Sequence, residues 1–150
     1  MSKKNRIEAK IQRILQHKPS ASTLHIKQRL FSFGVTTRTL PTHLMPFYQQ
    51  HKIDDQLHIK RHLELLMKEG KGFAFIARAL RTSLYNPIQI EETLRELLVH
   101  FDHQAQAKLS QRLRFGDERP KTVDEHSKRL FYLQKQGHSL STIREILIWG

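Results

Sequence analysis

The chain has 150 residues, 38% of them hydrophobic, and carries 26 Lys and Arg against 14 Asp and Glu, a formal net charge of +12. This composition allows a folded core and excludes a large multidomain enzyme and a disordered tail, while the positive excess predicts an acidic partner. Cysteine is absent, which excludes disulfides, thiolate metal sites and cysteine nucleophiles and favours a reducing cytoplasm.

Apolar residues spaced three and four positions apart predict three short helices in the first third of the chain. The residues that define them are Ile7, Ile11, Ile14 and Leu15, then Ile26, Leu30, Phe31 and Phe33, then Leu40, Leu44, Phe47 and Tyr48. Gly34 is predicted to end the second helix in a left-handed conformation. Pro41 suits the first turn of the third helix, whereas Pro46 should kink that helix or move its start later.

The same spacing predicts three helices in the middle third and three in the last third. The predicted ranges are 57–67, 73–84, 88–98, 105–115, 123–136 and, starting at either Ser139 or Ser141, a last helix up to Leu147. Asn86 and Pro87 open the sixth helix with a cap and a first-turn proline. No segment of strand length alternates apolar and polar residues, so the predicted fold class is all-α.

One set of four positions recurs with identical spacing about fifty residues apart, at the upper end of the usual repeat lengths. Its members are Leu30, Gly34, Leu40 and Leu44, then Leu80, Leu84, Ile90 and Leu94, then Leu133, Gly137, Ile143 and Leu147. Such a period is typical of small helical units that bury their cores against their neighbours. We predict tandem three-helix repeats over residues 1–52, 53–101 and 102–150, stacked into an elongated, curved array.

The positive charge is concentrated in the first third of the chain. Residues 1–52 hold ten basic residues and one acidic residue, residues 53–101 hold seven of each, and residues 102–150 hold nine basic and six acidic. This asymmetry predicts a surface that binds phosphates without reading bases, with a solvated face or an acidic protein partner as alternatives. The predicted binding residues are Lys3, Lys4, Arg6, Lys10, Arg13, Lys27, Arg29, Arg38, Lys60, Arg61, Lys68 and Lys71.

No group of residues has the pattern of a catalytic or metal site. His58 and His62 have a ligand spacing but no third ligand, so solvated helical histidines are expected. Asp54 and Asp55 are interpreted as a helix cap, and the glycines of stretch 70–72 as a helix end followed by a turn rather than a phosphate loop. We therefore predict no enzyme activity, no cofactor and no metal.

Aromatic residues at helical positions are expected to pack, with stacking on exposed bases as the alternative for one or two of them. They are Tyr48, Phe115, Tyr132 and Trp149. The N-terminus lacks the pattern of a signal peptide and no apolar run is long enough for a membrane span. We expect a cytoplasmic protein without membrane contacts.

The order of motifs resembles that of the RecX family, bacterial regulators of the RecA recombinase built from tandem three-helix repeats. The resemblance extends over nearly the whole chain. It is carried by HKIDD at residues 51–55, by Gly70, Gly72, Ile76 and Leu80, and by KRLFYLQKQGHSLSTIREIL at residues 128–147. His51 and Leu84 stand where the family usually has glycine, and Phe75 where it commonly has a basic residue. The substitution at His51 argues against a left-handed helix cap there.

The resemblance implies that the protein binds the RecA nucleoprotein filament along its groove. It further implies modulation, usually inhibition, of RecA ATP hydrolysis and strand exchange, and so a role in homologous recombination, DNA repair and the SOS response. The implied partners are the RecA filament and single- and double-stranded DNA, bound without sequence specificity. We expect a monomer.

The alternative function is that of a general helical nucleic-acid-binding protein or transcription regulator. Two helices joined by a short turn can form a helix-turn-helix motif. Ser141, Thr142 and Arg144 would be its recognition residues. Sequence-specific protection of one DNA site would distinguish this alternative from a filament modulator.

Overall fold

The structure, a computed structural model, describes residues 2–147, so Trp149 and the last residues of the third predicted repeat lie outside the described residues. The described chain contains nine α-helices, one 3-10 helix at Phe31–Phe33, and no strand. The prediction of an all-α fold is confirmed. The α-helices are α1 (Lys3–His17), α2 (Thr23–Leu30), α3 (Leu40–Gln49), α4 (Gln56–Lys68), α5 (Phe73–Thr82), α6 (Pro87–His100), α7 (His103–Phe115), α8 (Val123–Lys135) and α9 (Leu140–Ile146).

Short polar side chains begin many of these helices, because an oxygen just before the helix can accept from an otherwise unpaired N–H of the first turn. Such caps are formed by Ser2, Ser22, Asp102, Thr122 and Ser139. Asn86 does the same for α6, since its Oδ1 accepts from the N–H of Ile88 at 3.0 Å. The last helix therefore begins at the earlier of its two predicted serines.

Two residues of the first third test the predicted helix ends. Gly34 has φ +71°, so the left-handed end of the second helical segment is confirmed. Pro46 lies inside α3, which nevertheless begins at Leu40. Of the two predicted alternatives, the later start is wrong, because the helix accepts Pro46 although proline has no N–H to donate to the carbonyl of Thr42. The kink stays a prediction.

The chain forms two compact units. Unit 1 comprises the residues up to Ile59 together with Ser83–Thr93, and unit 2 comprises Lys60–Thr82 together with the residues from Leu94 onward. Helices α4 and α6 each contribute to both units, although three α-helices fall in each predicted segment. The division into three tandem repeats stays a prediction.

Unit 1 has its core among α1, α2 and α3. Its buried side chains are Ile7, Ile11, Ile14, Ala21, Ile26, Leu30, Leu40, Leu44, Phe47, Tyr48 and Ile53. Leu84, which replaces the glycine usual in the resembled family, packs against this core and is partly buried. Each fully buried aliphatic side chain contributes about 1.5–3 kcal/mol of transfer free energy, so these faces hold the three helices together.

Unit 2 has a core formed by α7, α8 and α9. It contains Ala107, Leu133, Ile143, Ile146 and Leu147, with Leu130 and Tyr132 packed against it. Of the apolar positions in the predicted fifty-residue period, all except Leu84 are buried. The period therefore marks core positions, whether or not the helices repeat as units.

Two turns of unit 2 pack against each other through glycines. The N–H of Gly72 donates to the carbonyl of Gln136 at 2.7 Å, and a Cβ added to Gly72 would overlap the backbone of Gly137. The N–H groups of Gly70 and Lys71 donate to carbonyls of the last turn of α4, and Gly70 has φ +73°. The interpretation of stretch 70–72 as a helix end and turn is confirmed.

No helix among residues 2–147 combines the length and the apolar character needed to cross a bilayer.

Candidate nucleic-acid interface

Helix α1 carries a row of positive side chains. Lys3, Arg6, Lys10 and Arg13 follow one another at intervals of three and four residues, which places them on one face of the helix. From the 100° turn per residue, this row lies roughly a quarter-turn from the isoleucines that α1 buries. Lys10 is half-buried, and its Nζ lies 5.5 Å from the centroid of the Phe33 ring, whereas the other three are exposed.

The first turn of α1 contains Lys3 and Lys4 and no acidic residue. The N-terminus of a helix has a partial positive charge, so cations there are unfavourable and an anion is favoured. Both lysines are exposed. A phosphate bound at this turn would relieve the repulsion between the lysines and the helix dipole.

The remaining predicted cations of unit 1 are Lys27, Arg29 and Arg38, and all three are exposed. Lys27 and Arg29 lie in the last turn of α2, where positive charge complements the helix dipole. The pKa of His25 is lowered from its ordinary value, first by burial and then by the positive charges of Lys18 and Arg29. The positive charges of Lys18 and Arg29 thus add to the effect of burial on His25.

The predicted cations of unit 1 are not neutralised by neighbours. Within residues 2–147, none of these eight side chains forms an ion pair. Glu8 is the only acidic residue of the first 52. Because nothing in this part of the described chain pairs with the cations, their charge is free to attract an anionic partner.

In unit 2 the structure places three of the four predicted cations on one side of α4. Lys60, Arg61 and Lys68 are exposed there. At 100° per residue, Glu64 falls between Lys60 and Lys68 on the same side, and it is also exposed. Its carboxylate dilutes the positive potential of α4, so this surface is a weaker anion site than that of unit 1.

Lys71, the fourth of these cations, is engaged within unit 2. Its Nζ donates to Oε1 of Gln136 at 2.5 Å and lies 4.5 Å from the centroid of the Phe75 ring. Phe75 occupies the position where the resembled family commonly has a basic residue, and here it supplies an aromatic face for a cation. A nucleic acid would have to compete with the hydrogen bond to Gln136 to recruit Lys71.

The acidic pair forms structural hydrogen bonds at the start of α4. Oδ1 of Asp54 accepts from the N–H of Gln56 at 3.0 Å, so the cap interpretation is confirmed for Asp54. Asp55 is buried and instead accepts from residues of other helices. His58 lies half-buried on α4. In the part of the chain that the structure describes, no three His, Asp or Glu side chains are grouped to hold a metal ion.

The aromatic residues singled out from the sequence differ in accessibility. Tyr48 is buried, and burial raises its pKa to about 12. Phe115 and Tyr132 pack edge to face at 5.4 Å between ring centroids and are half-buried. Packing is therefore their main role, although the pair keeps some contact with solvent.

The helix-turn-helix alternative is weakened by one of its proposed recognition residues. Thr142 is buried, its N–H donates to Oγ of Ser139, and its hydroxyl accepts from the same serine at 2.8 Å. Ser141 and Arg144 are exposed, but α9 has only seven residues. A recognition helix needs side chains free to reach base edges.

Comparisons of the chain with protein-family models, with curated proteins and with solved structures find no match. The resemblance to the RecX family therefore stays a prediction from the motifs.

Proposed function

We propose that the protein binds the RecA nucleoprotein filament and inhibits the DNA-dependent ATP hydrolysis and strand exchange of RecA. In this proposal the cations of α1, α2 and Arg38 contact the DNA backbone or an acidic protein surface of the filament. Lys60, Arg61 and Lys68 on α4 strengthen the association. The identity of the partner comes from the resemblance to the RecX family, and its anionic character comes from the charge.

One observation carries the proposal: the eight predicted binding cations of unit 1 are mostly exposed and form no ion pair within the described chain. Phosphate contacts of this kind give affinity without sequence specificity, since every nucleotide presents the same backbone. They also make binding salt-dependent, by about one logarithmic unit of affinity per tenfold change in salt for each phosphate neutralised. A filament modulator requires such binding, because it must act on any sequence.

The test is the ATPase activity of RecA on single-stranded DNA, measured with increasing amounts of the purified protein at low and moderate salt. We expect the ATPase rate to fall as the protein is added. Heat-denatured protein, added in the same buffer, is the control for effects of the added solution on the ATPase rate. If the native protein leaves the rate unchanged over a wide concentration range, the proposal is wrong.

A charge-reversal pair with a matched control locates the binding surface. Arg6→Glu with Arg13→Glu should weaken inhibition at least tenfold, because two phosphate contacts become repulsive. Arg95→Glu with Lys108→Glu changes the net charge equally at exposed positions outside the proposed surface and should inhibit like the wild type. Equal losses in both pairs would show that net charge alone attracts the filament.

Lys60→Glu with Arg61→Glu tests the contribution of α4. This pair should weaken filament binding less than the α1 pair, since Glu64 already reduces the potential there. Helicity measured by circular dichroism should not change, because both residues are exposed. Unchanged filament binding would remove α4 from the interface.

A further inference from the structure

Helix α8 of unit 2 presents an exposed aromatic ring between two positive side chains. The ring belongs to Phe131, 63% of whose surface is exposed. Lys128 precedes it by three positions and Lys135 follows it by four, so all three share one face of the helix. The Nζ of Lys135 lies 5.3 Å from the centroid of the Phe131 ring.

These side chains border an open depression of about 420 Å³. Its lining consists of Ser127, Lys128, Phe131, Tyr132 and Lys135, which we call the α8 patch. Tyr132, which is half-buried, packs against the core of unit 2. In the α8 patch the aromatic ring of Phe131 lies between two lysines of the same helix face.

Helix α7 places a further cation, Arg114, and a third ring, Phe115, next to Tyr132 of the α8 patch. The guanidinium carbon of Arg114 lies 5.7 Å from the ring centroid of Phe115 and 5.9 Å from that of Tyr132. Arg114 is exposed. Because Arg114 lies over these two rings and is exposed, its positive charge lies next to the aromatic surface and can still bind an anion.

The charge along the α8 patch is mainly positive, although the exposed Asp124 lies four positions before Lys128 on the same face of α8. The acidic residues of α8, Asp124 and Glu125, lie in its first turn, where they complement the helix dipole. No acidic residue occurs between Glu125 and Glu145, whereas that stretch contains four Lys and Arg. The partner must therefore place negative groups on both sides of a flat apolar or aromatic group.

We propose that the α8 patch binds single-stranded nucleic acid, with an unstacked base on the Phe131 ring and flanking phosphates on Lys128 and Lys135. Seven residues of helix separate the two lysines by about 10 Å along the axis, at about 1.5 Å per residue. A strand repeats phosphate and base along its length, and base stacking on an aromatic ring needs no particular sequence. A duplex fits less well, because its bases are already stacked.

Nucleic acid is favoured over an acidic peptide by the exposed ring. A peptide carboxylate would pair with the lysines and leave Phe131 uncovered, whereas a nucleotide uses both features. This site does not depend on the proposed action on RecA, because it concerns binding by the chain alone. It also differs from the proposed role of the unit 1 cations, which requires only an anionic backbone or surface.

The test measures binding of the full chain, without RecA, to a fluorescent oligomer of twenty thymidines and to heparin, a polyanion without bases. Phe131→Leu should weaken binding to the oligomer about tenfold, as expected for the loss of one base stack, and leave heparin binding unchanged. Phe131→Trp should restore oligomer binding. The double variant Lys128→Gln with Lys135→Gln should weaken binding to both polymers.

Phe31→Leu is the matched control, since Phe31 is 87% exposed in unit 1 and lies outside the α8 patch. It should bind the oligomer like the wild type. Thermal denaturation should show that every variant folds, because the changed side chains are exposed. Equal oligomer binding by the wild type and Phe131→Leu would overturn the proposal. If Phe131→Leu weakened binding only to an acidic polypeptide such as polyglutamate, the α8 patch would be assigned to a protein partner.

A second measurement reports the contact directly. An oligomer that contains 5-iodouracil cross-links under ultraviolet light to an aromatic ring on which the base is stacked. Mass spectrometry should find the cross-link on the tryptic peptide that contains Phe131. A cross-link confined to Phe31 or Phe33 would place the stacked base in unit 1 and contradict the proposal.

Discussion

The buried carboxylate of Asp55 accepts two hydrogen bonds from Thr23, one from the backbone N–H at 2.7 Å and one from the hydroxyl at 2.5 Å. It also accepts from the N–H of Asn86 at 2.6 Å. The start of α2 and the start of α6 thus share one anion, and only 1% of the Asp55 surface is exposed. Two helix N-termini with their partial positive charges stabilise a carboxylate that has left water.

Replacing Asp55 by Asn should destabilise unit 1 by about 3 kcal/mol, because hydrogen bonds to a charged acceptor each contribute about 1.5–3 kcal/mol. The amide keeps one accepting oxygen, but its NH₂ group would face an N–H donor. The change is measured as the shift in the free energy of unfolding in urea. A loss below about 0.5 kcal/mol would show that the carboxylate is not essential to this junction.

Asp54→Asn is the matched control for this substitution. Oδ1 of Asp54 accepts from the N–H of Gln56 and from Nε2 of Gln89, both at 3.0 Å, and the side chain is exposed. Asn caps helices about as well as Asp. The same chemical change should therefore cost about 0.5 kcal/mol or less at position 54.

A methyl group at Gly72 should be far more costly than one at Gly34. The Cβ of Gly72→Ala would overlap the backbone of Gly137, whereas a Cβ at Gly34 meets nothing within 4 Å. We expect Gly72→Ala to cost about 3 kcal/mol, because backbone must move to remove the overlap. Gly34→Ala should cost only about 1 kcal/mol, the strain of a left-handed alanine. Urea unfolding of the two variants tests the ranking, and equal losses would refute the close packing of the two turns.

His51→Gly should stabilise the protein by about 0.5–1 kcal/mol. His51 adopts φ +56°, and its N–H donates to the carbonyl of Tyr48 at 3.0 Å, so it forms a left-handed cap after α3. Glycine would remove about 1–2 kcal/mol of strain and lose part of that gain to the greater freedom of the unfolded chain. His51→Ala keeps the strain and should give no gain in the free energy of unfolding. A gain in the free energy of unfolding in both variants would show that the imidazole of His51, rather than its left-handed backbone, destabilises the protein.

Helix positions were predictable from the sequence because their signals are local. Apolar spacing identified the helices, and Ser139 lies next to the helix that it caps. The left-handed cap at His51 was not expected, because glycine is the usual residue there. The backbone of His51 nevertheless takes this conformation, and the N–H groups of His51 and Lys52 donate to the carbonyls of Tyr48 and Phe47 in the last turn of α3.

Contacts between distant residues explain what the sequence could not predict. Asp55 was interpreted with Asp54 as a helix cap, but its partner Thr23 lies 32 positions away. Lys71 was grouped with the free cations, but it contacts Gln136, 65 positions away. Glu64 is different, since the 100° rotation per residue already places it between Lys60 and Lys68. Its dilution of the α4 surface was predictable from the sequence.

The free energy of unfolding should decrease as the pH is lowered below about 7, in part because of His138. The ring of His138 is buried, and its Nε2–H donates to the carbonyl of Gly70 at 2.8 Å. Burial lowers the pKa of His138 from its ordinary value of 6.5, the hydrogen bond to Gly70 opposes this shift, and the charge of His103 adds to it. The neutral ring is therefore the form that the folded state stabilises.

The sign follows from the numbers of protons bound. At a pH between the lowered folded pKa and 6.5, the unfolded chain binds more protons at position 138 than the folded chain does, so acid favours unfolding. The contribution of His138 is fully present above 6.5 and is lost as the pH falls toward the folded pKa. His25, whose pKa is also lowered, contributes in the same direction from unit 1.

His138→Gln isolates this contribution, since its amide can still donate to the carbonyl of Gly70 but does not titrate. Free energies of unfolding in urea should be measured from pH 7.5 to 5.5, a range chosen to span the ordinary histidine pKa of about 6.5. We expect a shallower decline for His138→Gln than for the wild type, and a further reduction in the double variant with His25→Gln. Parallel curves for the wild type and His138→Gln would mean that the ring titrates alike in the folded and unfolded chain, which is incompatible with its burial against Gly70.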